Sequence, residues 1–169
     1  MKTKTLIISA LTILSIAGLF AWGNVAKSTS ASRGTYGSNT QKSVLVAPSV
    51  FHDFGTISMK NGNVTKEFTV TNPTGQAVVL ETVLTSCMCT TAFLVQADGS
   101  TKGPFSMPGM GYVPPANETI PSGESRIVRV IYDPNAHGPA GVGRIDRFVT
   151  LNDASGGTLV YEIKANVTP

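Results

Sequence analysis

The chain has 169 residues, enough for one ordinary domain plus extensions, with 17 glycines, 10 prolines and few aromatics, a composition typical of turn-rich β proteins. Its net charge of +3 divides unevenly: residues 1–42 hold five basic residues (Lys2, Lys4, Lys27, Arg33, Lys42) and no acid, which leaves eight basic and ten acidic residues in 43–169. The folded part is therefore mildly acidic, and no basic patch with interleaved aromatics argues for nucleic acid.

Lys2 and Lys4 precede an uncharged run from Leu6 to Trp22. A basic start and an apolar stretch are the grammar of an export signal. Seventeen residues reach roughly 25 Å as a helix, just short of a hydrocarbon core of about 30 Å. Residues 1–23 are thus expected to be either a cleaved signal, cut near Ala21-Trp22-Gly23 or Asn24-Val25-Ala26, or a retained single-pass anchor. The lysines before the span place the remainder outside the cytoplasmic membrane in both cases. No cysteine follows the run, which argues against a lipoprotein anchor. Membrane contact is expected only through this segment. Residues 24–43, rich in Ser, Thr, Gly and Asn, bury too little apolar surface to offset their ordering entropy and read as a flexible linker.

The domain is expected over 44–169. Val44-Leu45-Val46 is a short strand before Pro48. Val50 to Ile57 is a strand leading to Lys60-Asn61-Gly62-Asn63, where Asn-Gly signals a hairpin. Val64 to Thr71 alternates, with Val64, Phe68 and Val70 on one face. Asn72-Pro73-Thr74-Gly75 is a turn. Ala77 to Ser86 follows, with Val78, Leu80, Thr82 and Leu84 in phase. Both cysteines come next, in Ser86-Cys87-Met88-Cys89-Thr90, and then a short apolar run, Phe93-Leu94-Val95. Residues 97–120 hold eight Gly and Pro residues and no periodic run, so a long loop is expected. Ser125 to Tyr132, Arg147 to Asn152 and Thr158 to Val167 are the last strands. Seven or eight short strands with regular turns, and no helical period after the N-terminus, predict an antiparallel β-sandwich.

Five motifs in this order resemble the bacterial domain-of-unknown-function 1573 family. They are Phe51-His52-Asp53-Phe54-Gly55-Thr56-Ile57, Phe68-Thr69-Val70-Thr71-Asn72, Thr85-Ser86-Cys87-Met88-Cys89-Thr90, Ile120-Pro121-Ser122-Gly123-Glu124-Ser125 and Val130-Ile131-Tyr132-Asp133-Pro134. The resemblance spans about residues 44–168. It implies an Ig-like sandwich, similar to ASH/MSP-type domains, in an exported protein with no established catalytic activity. Met88 stands where the family usually has glycine, and the loop 97–120 is longer than usual.

Cys87 and Cys89 are the candidate functional pair. In an extended strand their side chains share a face, with Cα atoms about 6.5–7 Å apart, at the limit for a disulfide, so a bridge needs a local bend. Three readings stay open: a structural pair, a soft-metal site for Cu(I), and a redox-active thiol pair. Met107, Met110, His52 and His137 are the remaining candidate donors, although a methionine more often fills gaps and His52, at a strand end, suits a surface role. No nucleophile elbow or zincin motif is present, and the carboxylates are scattered. The expectation is a non-catalytic envelope module without a cofactor, binding a protein partner through sheet edges or the loop 97–120. The alternative is a copper-binding or thiol-redox protein that uses Cys-Met-Cys.

Overall fold

The structure, a computed structural model, describes residues 41–169. The expected signal or anchor and nearly all of the expected linker lie outside the described residues. Among the described residues no helix is long and apolar enough to cross a membrane.

Among the described residues ten strands form two sheets. They are β1 (Gln41–Lys42), β2 (Phe51–Ser58), β3 (Val64–Thr71), β4 (Val78–Thr85), β5 (Thr90–Val95), β6 (Thr101–Phe105), β7 (Glu118–Ile120), β8 (Ser125–Tyr132), β9 (Gly143–Asp153) and β10 (Gly157–Thr168). One sheet has the order β1-β10-β9-β4-β7, with β2 also on β10; the other has the order β3-β8-β5-β6. Alternation along β3, β8 and β10 builds the core as the sequence predicts. Phe68 and Val70, Val128, Val130 and Tyr132, and Tyr161, Ile163 and Val167 are all buried. Tyr161 stacks on Phe68 across the two layers, with ring centroids 4.5 Å apart, and its hydroxyl donates to the Thr69 carbonyl at 3.2 Å.

Several expectations are corrected. The sandwich is not wholly antiparallel: β1 and β2 both run parallel to β10, opposite its first and second halves. Asn61-Gly62 does not close a hairpin. Residues Met59–Asn61 form a 3-10 turn, Gly62 adopts φ 74°, and the chain crosses from the first sheet to the second. Val44–Val46 is no strand and contributes one bridge, Val46 to Thr71. Among the described residues, pairing is already present at Gln41 and Lys42, opposite Gly157 and Thr158. Ser43 is buried, donates its hydroxyl to Asp153 Oδ2 at 2.5 Å, and sits against Gly157, where a Cβ would collide with both residues.

In β4 the expected phase holds only at Val78 and Leu80. The register shifts between Leu80 and Thr82, so Val83 and Thr85 turn inward in place of Thr82 and Leu84. This is what a β-bulge does: one extra residue exchanges the two faces. The carbonyl of Glu81, at the shift, accepts from the amides of Ala116 and Asn117.

The expected loop 97–120 contains two strands. β6 pairs with β5 despite Gly103 and Pro104, because β6 is an edge strand and proline is tolerated there. β7 pairs with β4. A tight turn joins β5 to β6, a longer loop remains over 106–117, and ion pairs of the buried Glu118 hold its two ends. Glu118 takes Lys102 Nζ and Arg126 Nε, both at 2.7 Å, which ties β7 of one sheet to β6 and β8 of the other.

Candidate functional site: the cysteine turn

The chain leaves the first sheet at Thr85 and enters the second at Thr90, so the cysteines lie on the connection between layers. Hydrogen bonds hold this connection at both ends. Ser86 is clamped to β9, its amide donating to the Phe148 carbonyl at 3.0 Å and its hydroxyl accepting from the Phe148 amide at 2.9 Å. The amide of Thr90 donates back to the Cys87 carbonyl at 3.1 Å, which closes a four-residue turn. The buried Thr85 hydroxyl reaches the carbonyls of Cys87 and Thr90 at 3.1 and 3.0 Å.

The cysteines are therefore not extended. The turn shortens their Cα separation to 5.2 Å and joins them in a disulfide. A bend that sequence spacing alone makes uncomfortable is supplied here by Thr85, Ser86 and Thr90. Met88 is exposed.

Two ring or guanidinium nitrogens face the sulfurs. His137 Nε2 lies 3.1 Å from Cys87 Sγ, and Arg147 Nε donates to Cys89 Sγ at 3.2 Å. His137 comes from the connection after β8, which is fastened to the turn by the Asp133 amide donating to the Cys89 carbonyl at 2.9 Å. That connection is also ordered internally: Asp133 caps the Asn135 amide at 2.8 Å, and Asn135 Nδ2 donates to the Met59 carbonyl at 2.9 Å. Burial is graded across the site. Cys89 is 2% exposed, Cys87 9%, and His137 lies open to solvent.

Of the sequence-proposed donors, the structure brings together Cys87, Cys89 and His137, whose ligand atoms all lie within 4.8 Å of one another. His52 stands apart on β2, paired with Ile163 of β10, its ring edge-on to Phe54 at 4.6 Å. Partial burial, and then the charge of Lys66, hold the His52 imidazole below its ordinary pKa. Met107 and Met110 close a turn of their own, the Met110 amide donating to the Met107 carbonyl at 3.4 Å; Met107 is half-buried and Met110 exposed. Their loop starts beside the cysteine turn, since the Thr85 amide donates to the Ser106 carbonyl at 3.2 Å.

Arg147 was not singled out from the sequence. The signal for it is its phase: on β9 it falls in the same core-facing row as the buried Ile145, Val149 and Leu151. A cation in that row needs acceptors, and Cys89 Sγ and the Asp146 carbonyl supply them.

The other buried ionisable groups are satisfied within the scaffold. Asp153 accepts from Ser43 and Ser155 and from the Gly157 amide. Burial pushes its pKa up, but these donors more than offset that, and the carboxyl is held below its ordinary value.

Residues 45–98 match the family described as protein of unknown function DUF1573. That is the family the motif order resembles. The match takes in the first three motifs, Thr85 to Thr90 among them, and stops before β6. No curated protein matches the chain. Among solved structures it resembles a protein of unknown function from Porphyromonas gingivalis W83, with TM-score 0.54 and 16% identity, covering 78% of this chain and 50% of that one. A family 123 glycoside hydrolase from Clostridium perfringens has TM-score 0.50 and 4% identity, covering 70% of this chain and 22% of that one. At such identities the likeness is one of fold alone, and the chain spans half or less of each of these proteins.

Proposed function

We propose that the chain is an exported, non-catalytic protein-interaction module of the bacterial cell envelope, an Ig-like sandwich whose contact end responds to the oxidation state of Cys87 and Cys89. The observation that carries this reading is the bridged turn, held between His137 and Arg147 at the crossover of the two sheets. Breaking the bridge loosens a connection that bonds directly to both β9 and the 133–142 segment. The loop 106–117 leaves the sheet at the same end and carries Tyr112, 84% exposed, and Met110, 55% exposed. Exposed large side chains on a glycine- and proline-rich loop suit a protein contact better than a solvated surface. Export agrees with a disulfide, which persists outside the cytoplasm. The second sheet's outer strands, β3 and β6, give the module further edges to offer a partner.

The test is a photo-crosslinking residue at position 112 in the native host. Capture of one discrete partner, altered when Cys87 and Cys89 are both changed to serine, is the expected result. A discrete partner captured equally from both forms removes the redox element. Absence of any discrete adduct from positions 110 and 112 overturns the contact surface.

A further inference from the structure

We infer that the reduced cysteine pair and His137 together form a three-ligand site for a single Cu(I) ion. The inference rests on the reading above that the Cys87–Cys89 bond is reversibly reduced, and it adds a ligand that the reading does not require.

The donor set comes first. Each of Cys87, Cys89 and His137 offers one ligand atom, and all three atoms fall within 4.8 Å of one another. Metal–sulfur bonds of about 2.3 Å and metal–nitrogen bonds of about 2.0 Å, arranged trigonally, need donor separations of roughly 3.7–4.0 Å. Opening of the sulfurs on reduction brings them to that spacing from a turn whose Cα atoms start only 5.2 Å apart. Thiolate and imidazole are the soft and borderline donors that Cu(I) prefers.

The number of donors argues against a closed structural zinc site. A structural zinc ion takes four protein ligands, and among the described residues no further His, Cys, Asp or Glu joins this group. Charge argues the same way. Two thiolates, a neutral imidazole and Cu(I) leave one negative charge, and Arg147 Nε, 3.2 Å from Cys89 Sγ, supplies the single positive charge that balances it. A divalent ion would leave the buried end of the site with a net positive charge.

Access and preorganisation are also present. Cys89 and the guanidinium close the inner side, while His137 closes the outer side from an exposed position. His137 is held by neighbours that bond elsewhere: the amide of Gly138 donates to the Asn135 carbonyl at 2.9 Å, and Asn135 is anchored to Met59. Gly141 allows the segment to fold this closely, because a Cβ there would press on the Pro134 carbonyl at 3.3 Å and on His137 Cβ at 3.4 Å. The imidazole is therefore placed by the loop and not by the sulfur it faces.

The steps balance with one external reactant, a dithiol reductant. It gives two electrons and two protons to the Cys87–Cys89 bond and becomes a disulfide itself. Cu(I) then displaces the two thiol protons and binds with no change in its own oxidation state.

The test uses the full chain, reduced with a phosphine under argon and titrated with Cu(I) against a chromophoric Cu(I) chelator. Native mass spectrometry reads the stoichiometry, and thiol-trapped mass reads the state of the cysteines. One copper per chain is expected, with affinity at least tenfold lower in His137→Ala, restored in His137→Cys, and lost in the Cys87→Ser, Cys89→Ser double variant. Thermal unfolding of each variant shows that the fold is kept. Two free thiols without copper binding overturn the site while leaving the redox reading intact. Copper binding that is indifferent to His137 overturns the three-ligand set. A cysteine bond that the phosphine leaves closed overturns both the site and the reading beneath it.

Discussion

Glu118→Gln probes the ion cluster that joins the two sheets and holds both ends of the 106–117 loop. Glu118 is 7% exposed and Arg126 9% at the side chain, and their 2.7 Å contact is reinforced by Lys102, also at 2.7 Å, and by Gln96 Nε2 at 3.3 Å. Removing one member of a buried pair leaves the other charge uncompensated and costs about 3–5 kcal/mol. Arg126 keeps Glu124 at 3.0 Å and the carbonyls of Ser125 and Thr119, and Lys102 is 36% exposed, so the lower end applies, about 3 kcal/mol at pH 7. The cost depends on pH. Burial raises the Glu118 pKa, but Lys102 and Arg126 outweigh it and hold the carboxyl below its ordinary value of 4.5. A carboxyl depressed in the folded state stabilises fully above its unfolded pKa, and that stability fades as the pH falls through the folded value. Urea unfolding of wild type and variant at pH 7, and again in steps below pH 4.5, reads the effect directly. The expected gap of about 3 kcal/mol at pH 7 narrows as the pH falls, because only the wild type loses the ionised carboxylate. A gap under about 0.5 kcal/mol at pH 7, in the range of an exposed pair, refutes the reasoning. So does a gap that stays constant into acid.

Further outcomes follow from the same structure. Tyr161→Phe keeps the stacking on Phe68 and loses only the bond to the Thr69 carbonyl, so chemical denaturation is expected to show a loss of about 1 kcal/mol; a loss above 3 kcal/mol would mean that the ring itself had moved. Gly157→Ala drives a methyl into Asp153 and Ser43 and costs about 1–3 kcal/mol; hydrogen exchange at Gln41–Ser43 rises with it, and unchanged exchange there contradicts the anchoring role of Ser43. The Cys87→Ser, Cys89→Ser variant loses a cross-link closing a three-residue loop, about 1.5 kcal/mol on chain-entropy grounds, and remains folded by thermal unfolding. Collapse of that variant would make the pair structural and nothing more.

Much of the fold can be read from alternation. β3, β8 and β10 bury the residues that their period-two pattern selects, because each lies with one face on the core. What alternation hides are the places where a single residue changes the rule. The shift at Glu81 exchanges the two faces of β4, and only the amides of Ala116 and Asn117, distant in sequence, mark it. β6 is concealed because Gly103 and Pro104 read as breakers, and an edge position excuses them. Asn61-Gly62 is a sound turn signal with the wrong partner: local chemistry sets the turn, but pairing of β2 with β10 decides where the chain goes next. At the site, the cysteines announce themselves by being the two in the chain. The bend that joins them depends on side-chain bonds from Thr85 and Ser86, and His137 arrives from 48 residues beyond Cys89 through the pairing of β5 with β8. No spacing rule encodes either of these.

The most direct measurement is a redox titration of the full chain in a dithiol–disulfide buffer series, read by thiol-trapped mass and by hydrogen exchange over 106–117 and 133–142. The account predicts one cooperative transition between a bridged and a two-thiol form, with exchange in 133–142, and at the base of 106–117, rising over the same range. A pair that never opens, or one that opens while both segments exchange as before, would contradict it.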